Sequence, residues 1–168
     1  MLLVGMGVTG CGTGQLAQTA GQVTTTNGAE GRAGSIVLRD VQIVFPGHAA
    51  GDTAYRPGQD VLLQATMINE AGAAATDRIL AVSSPIAAGE RIVGDDHIAP
   101  GRVLTSGYAA PQVPRTDPDT RAVAVVLTGL RAPIQAGMTY PVMFTFEHAG
   151  TVHLQVPVGN PHPTSPAR

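Results

Sequence analysis

The sequence predicts an all-β protein folded as an antiparallel β-sandwich. Apolar and polar residues alternate in several segments, which is the period of a strand that buries one face. Glycine or proline interrupts the chain between nearly all of these segments, as expected at turns. No segment repeats its apolar residues with the 3.6-residue period of a helix. Short strands at regular spacing, with two faces to cover, favour two packed sheets.

Eight strands are predicted in order along the chain. The first two are rich in valine, isoleucine and leucine, and Pro46-Gly47 and Pro57-Gly58 mark the connection between them. Turn residues, among them Gly72, Pro85 and Pro133, separate the later strands. The predicted strands are Ser35–Phe45, Asp60–Asn69, Asp77–Ser84, Glu90–Val93, Gly101–Thr105, Arg121–Leu130, Thr139–His148 and Thr151–Val158.

The last two predicted strands show the alternation most clearly. In each of them every second residue is apolar and shares one face of the sheet. These apolar residues are Val142, Phe144 and Phe146 in the first strand and Val152, Leu154 and Val156 in the second. His148-Ala149-Gly150 lies between the strands and is short enough to join them as a hairpin.

Composition excludes several classes of protein. The chain has 168 residues and a net charge of −2, and only 13% of its residues are charged, so it lacks the basic footprint of a nucleic-acid-binding protein. It has no tryptophan and few other aromatic residues, which argues against a carbohydrate-stacking platform. The single cysteine excludes an internal disulfide, so the core must hold the fold.

The beginning of the chain is typical of a bacterial lipoprotein. An apolar run, Leu2–Val8, leads into Val8-Thr9-Gly10-Cys11, the pattern of a lipobox. We therefore predict a signal peptide at residues 1–10 and lipidation of Cys11 with diacylglycerol and an N-acyl chain, which together give a stable anchor. No basic residue precedes the apolar run, so we expect the translation start to lie upstream. We predict no other cofactor.

The same segment contains a dinucleotide-binding pattern that we reject. Gly5, Gly7 and Gly10 fit the spacing G-x-G-x-x-G. A dinucleotide site also needs a helix after the last glycine, and the residues that follow are rich in glycine, threonine and glutamine.

Three further regions follow the predicted signal peptide. Residues 11–34 are small and polar, which predicts a flexible tether that holds the domain about 25 Å from its lipid. Residues 35–159 contain all the predicted strands and form the sandwich domain. Residues 160–168 include three prolines, which predicts a disordered tail.

Several segments carry a resemblance to a known family. The chain resembles the LpqE family of mycobacterial lipoproteins over most of residues 8–159. The segments that carry this resemblance are Thr9–Ala20, Val37–Ile43, Asp77–Leu80, Pro133–Tyr140 and Phe144–Gly150. The resemblance implies a lipid-anchored accessory protein at the extracytoplasmic face of the actinobacterial cell membrane, associated with the cytochrome bc1–aa3 respiratory supercomplex.

The scaffold is also similar to the periplasmic copper chaperone family PCuAC. This similarity implies a cupredoxin-like, or immunoglobulin-like, β-sandwich. In that family histidine and methionine ligands lie in an H-x-M segment before a G-L pair and in a segment after an S-P pair. Counting back from Gly129-Leu130, the ligand positions hold Ala124, Val126 and Thr128, and no counterpart follows Ser84-Pro85 near Glu90–Val93.

We therefore predict that the copper site of that family is absent. Soft Cu(I) prefers thioether and imidazole ligands. His97, Met143 and His148 are weak alternative candidates, and solvated histidines and a gap-filling methionine explain them better. His153 on the last strand is explained in the same way.

Other clusters are better explained as turns. Asp95-Asp96-His97 and Asp117-Pro118-Asp119 lack the D-x-D-x-D-G spacing of a calcium loop. Ser83, Ser84 and Ser106 have no nucleophile-elbow motif around them. Asp77-Arg78 is read as a turn acid beside an arginine that begins a strand.

We predict no catalytic residues, so the protein is not expected to be an enzyme. A copper carrier for cytochrome oxidase and a binder of envelope lipid or polymer remain as alternative functions. Residues 46–58 and 106–120 are the predicted docking loops for a partner protein.

Overall fold

The structure, a computed structural model, describes residues 28–47, 49–72, 75–108 and 120–159. Over these residues the chain forms twelve β-strands and no helix, which confirms the predicted all-β class. The strands are β1 (Ala29–Ala33), β2 (Ile36–Ile43), β3 (Thr53–Tyr55), β4 (Val61–Asn69), β5 (Asp77–Ser83), β6 (Ala87–Gly94), β7 (His97–Ile98), β8 (Val103–Ser106), β9 (Thr120–Leu130), β10 (Ile134–Gln135), β11 (Thr139–Phe146) and β12 (Gly150–Pro157).

The strands form two main sheets and one small one. The six-stranded sheet has the order β1-β2-β4-β8-β9-β6, and the four-stranded sheet has the order β12-β11-β5-β7. β3 and β10 pair separately. Apolar side chains from both main sheets form one core, as expected for a sandwich. The pairings between strands are antiparallel, as predicted, except that β8 and β9 run parallel, and one isolated parallel bridge joins Ile43 to Val158.

The alternation predicted for the last two strands is confirmed. Val142, Phe144 and Phe146 are almost completely buried, as are Leu154 and Val156, while Val152 packs at the edge of the core. β11 and β12 pair residue for residue around the turn 147–149, with Phe146 opposite Gly150. The hairpin predicted at His148-Ala149-Gly150 is therefore present.

The sandwich begins earlier than predicted. Residues 29–33, assigned by sequence to the tether, form β1, which pairs with β2. The pattern was missed because only Ala33 in this strand is buried. Its central residue, Gly31, also lacks a side chain for a physical reason, since a Cβ there would lie 2.5 Å from Leu154 Cδ2. The predicted signal peptide, the rest of the tether and the tail at 160–168 lie outside the described residues.

The central strand β4 shares one of its edges between two strands. Val61–Leu63 pair with β9, whereas Ala65–Ile68 pair with β8. The buried hydroxyl of Ser106 lies where β8 ends, donates to the carbonyl of Leu63 (2.7 Å) and accepts from the amide of Val125 (3.0 Å). Gly107 follows with φ +75°, and a Cβ there would lie 2.6 Å from Leu63 O. Ser106 therefore replaces the backbone pairing at the fork.

Asp77 fixes the hairpin between β11 and β12 to the first residue of β5. Its carboxylate is buried and accepts the amides of Arg78 (2.8 Å), His148 (3.0 Å) and Ala149 (2.8 Å). Burial by itself would raise the pKa of Asp77, but the three amides, with the nearby His148 ring, hold this pKa below its usual value. The carboxylate thus accepts hydrogen bonds from the amides of His148 and Ala149, which are in the turn 147–149 and are not paired with a neighbouring strand.

Asp77→Asn should lower the free energy of unfolding by about 2–4 kcal/mol, because one amide oxygen replaces two charged oxygens that accept three partly buried backbone amides. Urea denaturation at neutral pH measures this change. Glu30→Ala is the matched control, since Glu30 is exposed on β1, and it should change stability by less than about 0.5 kcal/mol.

The effect of Asp77→Asn should also depend on pH. The folded-state pKa of Asp77 lies below the unfolded value of about 3.9, so its contribution is complete above that value and is lost as the pH falls through the folded-state pKa. The stability difference between the parent and Asp77→Asn should therefore shrink as the solution is acidified below about pH 4. A difference that stays constant to about pH 2 would contradict this assignment.

Candidate functional site

The outward face of β6 and β9 is where the sequence resemblance would place copper ligands. In the register of these strands Val93 lies opposite Ala124, Arg91 opposite Val126, and Gly89 opposite Thr128. Opposed residues share a face, and this face points outward because Val123, Val125 and Leu127 of β9 are buried.

These positions do not fit a copper site. The outward face offers methyl groups, a threonine hydroxyl and the guanidinium of Arg91, which pairs with Asp60 at 3.5 Å. It offers no thioether and no imidazole, the ligands that Cu(I) prefers. The two segments where the resemblance would place copper ligands are thus adjacent in this fold, and the side chains at these positions are poor ligands for Cu(I).

The structure brings Asp95, Asp96 and His97 together after β6. Nδ1 of His97 lies 2.9 Å from Asp96 Oδ1 and 3.2 Å from Asp95 Oδ1, and Arg121 forms an ion pair with Asp95. The amide of His97 and then the guanidinium of Arg121 hold the pKa of Asp95 below its usual value. The oxygen and nitrogen atoms are spaced closely enough for a metal ion.

The surroundings of this cluster favour an ion-pair network over a metal site. The His97 side chain is 55% exposed, and Arg121 already neutralises Asp95. Two carboxylates and one imidazole form a harder donor set than Cu(I) selects. An incoming cation would have to displace the guanidinium from Asp95.

The three weak metal candidates from the sequence do not form one site. His97 lies opposite Arg78 on β5, and His148 lies beside the neighbouring residue Asp77, with its Nδ1 3.7 Å from Asp77 Oδ1. Met143 lies opposite Ser83 at the other end of β5. Met143 is therefore separated from His97 and His148 by roughly 15–20 Å along β5, at about 3.3 Å per residue. Met143 instead lies opposite His153 on β12, an isolated pair on the outer face of the four-stranded sheet.

The serines and the Asp77-Arg78 pair have structural partners. Ser84 Oγ donates to Pro141 O at 2.5 Å, and Ser106 holds the fork between β4, β8 and β9. Arg78 Nε lies 3.2 Å from Glu147 Oε2, within ion-pair distance. Asp77, predicted to be a turn acid, is buried and accepts the amides of His148 and Ala149 in the turn 147–149.

Several predicted residues cannot be placed. Cys11, the loop residues 109–119 and the aspartates of Asp117-Pro118-Asp119 lie outside the part of the chain that the structure describes. In the predicted docking loop 106–120, Ser106 is buried and unavailable to a partner. Among the described residues, no helix is long and apolar enough to cross a membrane.

Comparison with known proteins decides the family. A family model described as LpqE-like matches residues 36–158, which include β2 to β12. The chain belongs to the LpqE-like family. LpqE of Mycobacterium tuberculosis is 29% identical over 158 residues, a match that covers 93% of this chain and 84% of that protein. LpqE of Mycobacterium leprae is 31% identical over 150 residues, covering 89% and 79%. Both relatives are named as lipoproteins.

Solved structures with the same fold are PCuAC domains. The apo PCuAC domain from PmoF1 matches with a TM-score of 0.58 and 19% identity, covering 79% of this chain and 99% of that domain. The copper-bound PCuAC domain from PmoF2 matches with a TM-score of 0.56 and 20% identity, covering 79% and 98%. The likeness confirms the predicted PCuAC-like sandwich.

The chain should retain no stoichiometric Cu(I) against a chromogenic Cu(I) chelator, because Ala124, Val126 and Thr128 occupy the positions where the resemblance would place soft donors. Absorbance of the chelator complex measures the copper that the protein gives up. One equivalent retained by the parent, and lost in His97→Ala, Met143→Leu or His148→Ala, would contradict this expectation and identify the ligand.

Proposed function

We propose that this member of the LpqE-like family is a lipid-anchored, non-catalytic accessory protein at the extracytoplasmic face of the cell membrane. Its proposed partner is the cytochrome bc1–aa3 respiratory supercomplex. The observation that carries the proposal is the outward face of β6 and β9, where the positions that the resemblance assigns to copper ligands hold no thioether and no imidazole. A scaffold without the ligands is suited to binding and not to carrying metal.

Two independent facts support the lipid anchor. The sequence around Cys11 has the small residues that a lipoprotein peptidase requires before the cysteine. The relatives from Mycobacterium tuberculosis and Mycobacterium leprae are named as lipoproteins, and each matches about nine-tenths of this chain. An anchor would confine the sandwich to the membrane plane and raise its effective concentration near membrane complexes, so a modest interface would suffice.

A rigid loop on the described surface supports a role in binding. Residues 49–58 of the predicted docking loop 46–58 contain β3, which pairs with β10. Gly58 N donates to Leu130 O at 2.7 Å, and Ala136 N donates to Asp52 O at 2.8 Å. The loop is therefore held from both sides, which reduces the entropy lost when a partner binds it.

A copper carrier is the second candidate, because the fold matches a domain whose structure contains copper. The donor sets described above weigh against it. The two functions differ in a simple observable: a carrier retains copper after purification, and the accessory protein is recovered with its membrane complex whether or not copper is present.

Cys11→Ser should abolish lipidation and move the protein from the membrane to the soluble or precursor fraction, because the thioether requires the cysteine sulfur. Fractionation with mass spectrometry of the mature N-terminus measures both effects. Thr13→Ser is the matched control, a small polar replacement two residues after the cysteine, and it should leave the lipid mass increment in place. A membrane-bound Cys11→Ser variant with a parent that lacks the lipid increment would contradict the anchor.

The lipidated protein should co-purify with the supercomplex from mild detergent when the bc1 complex or the oxidase carries the affinity tag. Cys11→Ser, expressed to the same level, should be recovered in much smaller amounts because it is no longer confined to the membrane. Quantitative mass spectrometry of the two purifications measures the ratio. Absence of the parent from the purified complex, despite its presence in the same membranes, would contradict the proposed partner.

A further inference from the structure

A cavity of about 350 Å³ lies beside β3 at one end of the sandwich. Its volume is within the range of small-molecule sites, about 300–1,000 Å³. The described residues that line it are Pro46, Ala50, Thr53, Ala54, Tyr55, Arg56 and Gln59. None of them belongs to the outward face of β6 and β9 or to the cluster around His97.

The walls of this cavity are held in place by short hydrogen bonds. The hydroxyl of Tyr55 donates to Val44 O at 2.5 Å, and burial raises the pKa of Tyr55, so the hydroxyl remains a donor at neutral pH. The amide of Arg56 donates to Gln59 Oε1 at 2.6 Å. Leu130 N donates to Gln59 O at 2.9 Å, which ties the end of the loop to β9. The cavity is therefore formed before a ligand arrives.

The polar groups at the cavity are mainly hydrogen-bond donors. Arg56 is the one charged residue in the described lining, and among the described residues no carboxylate lies within ion-pair distance of its guanidinium. Gln59 uses its Oε1 to accept the Arg56 amide, which leaves its NH₂ group to donate. Thr53 is also in the lining. An arginine fork with neighbouring donors suits a carboxylate or a phosphate.

Acidic residues next to the loop do not cancel this charge within the cavity. Asp60 is held by Arg91 at 3.5 Å and by the amide of Gly129 at 3.0 Å. Asp52 is exposed and is not in the lining. The rest of the wall is apolar and comes from Pro46, Ala50 and Ala54.

We propose that this cavity binds a small organic anion, with the carboxylate or phosphate on Arg56 and Gln59 and a short apolar body against Pro46, Ala50 and Ala54. The cavity lies largely within the predicted docking loop 46–58. Binding of the anion is nevertheless tested independently of the proposed partner, because it requires neither a lipid anchor nor a membrane complex.

Nuclear magnetic resonance titration of the full chain with Cys11→Ser tests the proposal without detergent. The probes are inorganic phosphate, butyrate, butyl phosphate and dihexanoyl phosphatidylglycerol below its micelle concentration. Butyl phosphate should shift the amides of Thr53, Arg56 and Gln59 to saturation and should bind more tightly than inorganic phosphate, because it also contacts the apolar wall. Tighter binding of the phosphatidylglycerol than of butyl phosphate would identify the source of the anion as a lipid headgroup.

Arg56→Gln should weaken binding of butyl phosphate by at least about tenfold, the loss expected for one charge-assisted contact. Arg56→Lys keeps the positive charge but lacks the planar guanidinium, so its affinity for butyl phosphate should lie between those of the parent and Arg56→Gln. Arg39→Gln is the matched control, because Arg39 is also an exposed arginine but lies on β2, away from the cavity, and it should bind like the parent. Equal melting temperatures would verify that the variants are folded.

Three results would overturn the proposal. Shifts that grow without saturation for every probe would indicate a non-specific ionic effect. Equal loss of binding in Arg39→Gln and Arg56→Gln would indicate attraction by net charge alone. Unchanged affinity in both Arg56 variants would place the anion elsewhere.

Discussion

The arrangement of strands in the large sheet depends on how β8 and β9 share one edge of β4. β4 is the central strand of the large sheet, and its edge pairs with β9 at one end and with β8 at the other. Two strands cannot occupy the same edge, so β8 must stop where β9 joins, and Ser106 supplies both a donor and an acceptor at that point. The position of β9 then determines where β6 lies, since β6 pairs with β9 alone. It also determines where the loop 56–59 is attached, through Leu130.

Sequence patterns placed the strands that alternate most clearly and missed those that are very short or bury few residues. β11 and β12 follow the period of two, and each was placed within two residues of its observed ends. β1 has Gly31 at its centre and only one buried residue, so its pattern resembles that of a tether. β3, β7 and β10 contain two or three residues each, too few to show any period. The parallel pairing of β8 and β9 depends on contacts between distant segments, which local spacing does not encode.

For the candidate sites, too, some residues were predicted from the sequence and others were found only in the structure. The resemblance to PCuAC placed the ligand positions at Ala124, Val126 and Thr128, and the strand register puts these residues opposite Val93, Arg91 and Gly89. Asp77 was read as a turn acid, although its spacing of two from the buried Ile79 already placed it on the inner face of β5. Arg56 gave no signal of its own. Arg56 is positioned at the cavity because the nearby residues Gly58 and Gln59 form hydrogen bonds with the backbone of Leu130, which lies more than 70 residues further along the chain.

The scaffold and the metal chemistry of this fold are separable in physical terms. The core is formed by inward-facing residues such as Val123, Val125 and Leu127, whereas the ligand positions alternate with them on the outward face of β9. Replacing outward residues removes coordination without disturbing the buried residues, because neighbours along a strand point to opposite sides. A sandwich of this kind can therefore lose a metal and keep its packing. This separation accounts for a fold shared with PCuAC domains at about 20% identity.

The placement of β1 also has a mechanical consequence. The backbone of this strand pairs with β2 alone, and β1 packs against β12, where a Cβ on Gly31 would meet Val152 and Leu154. The turn at Gly34 returns the chain directly into β2, so tension transmitted from the N-terminal side of Gly28 reaches the bonds between β1 and β2 one after another, from the open end of the hairpin. Such a hairpin opens like a zipper and resists much less than strands pulled in shear. Because Ala33 is the one fully buried residue of β1, peeling this strand away removes little apolar surface from the core, so β1 is the first strand to yield to tension from that side.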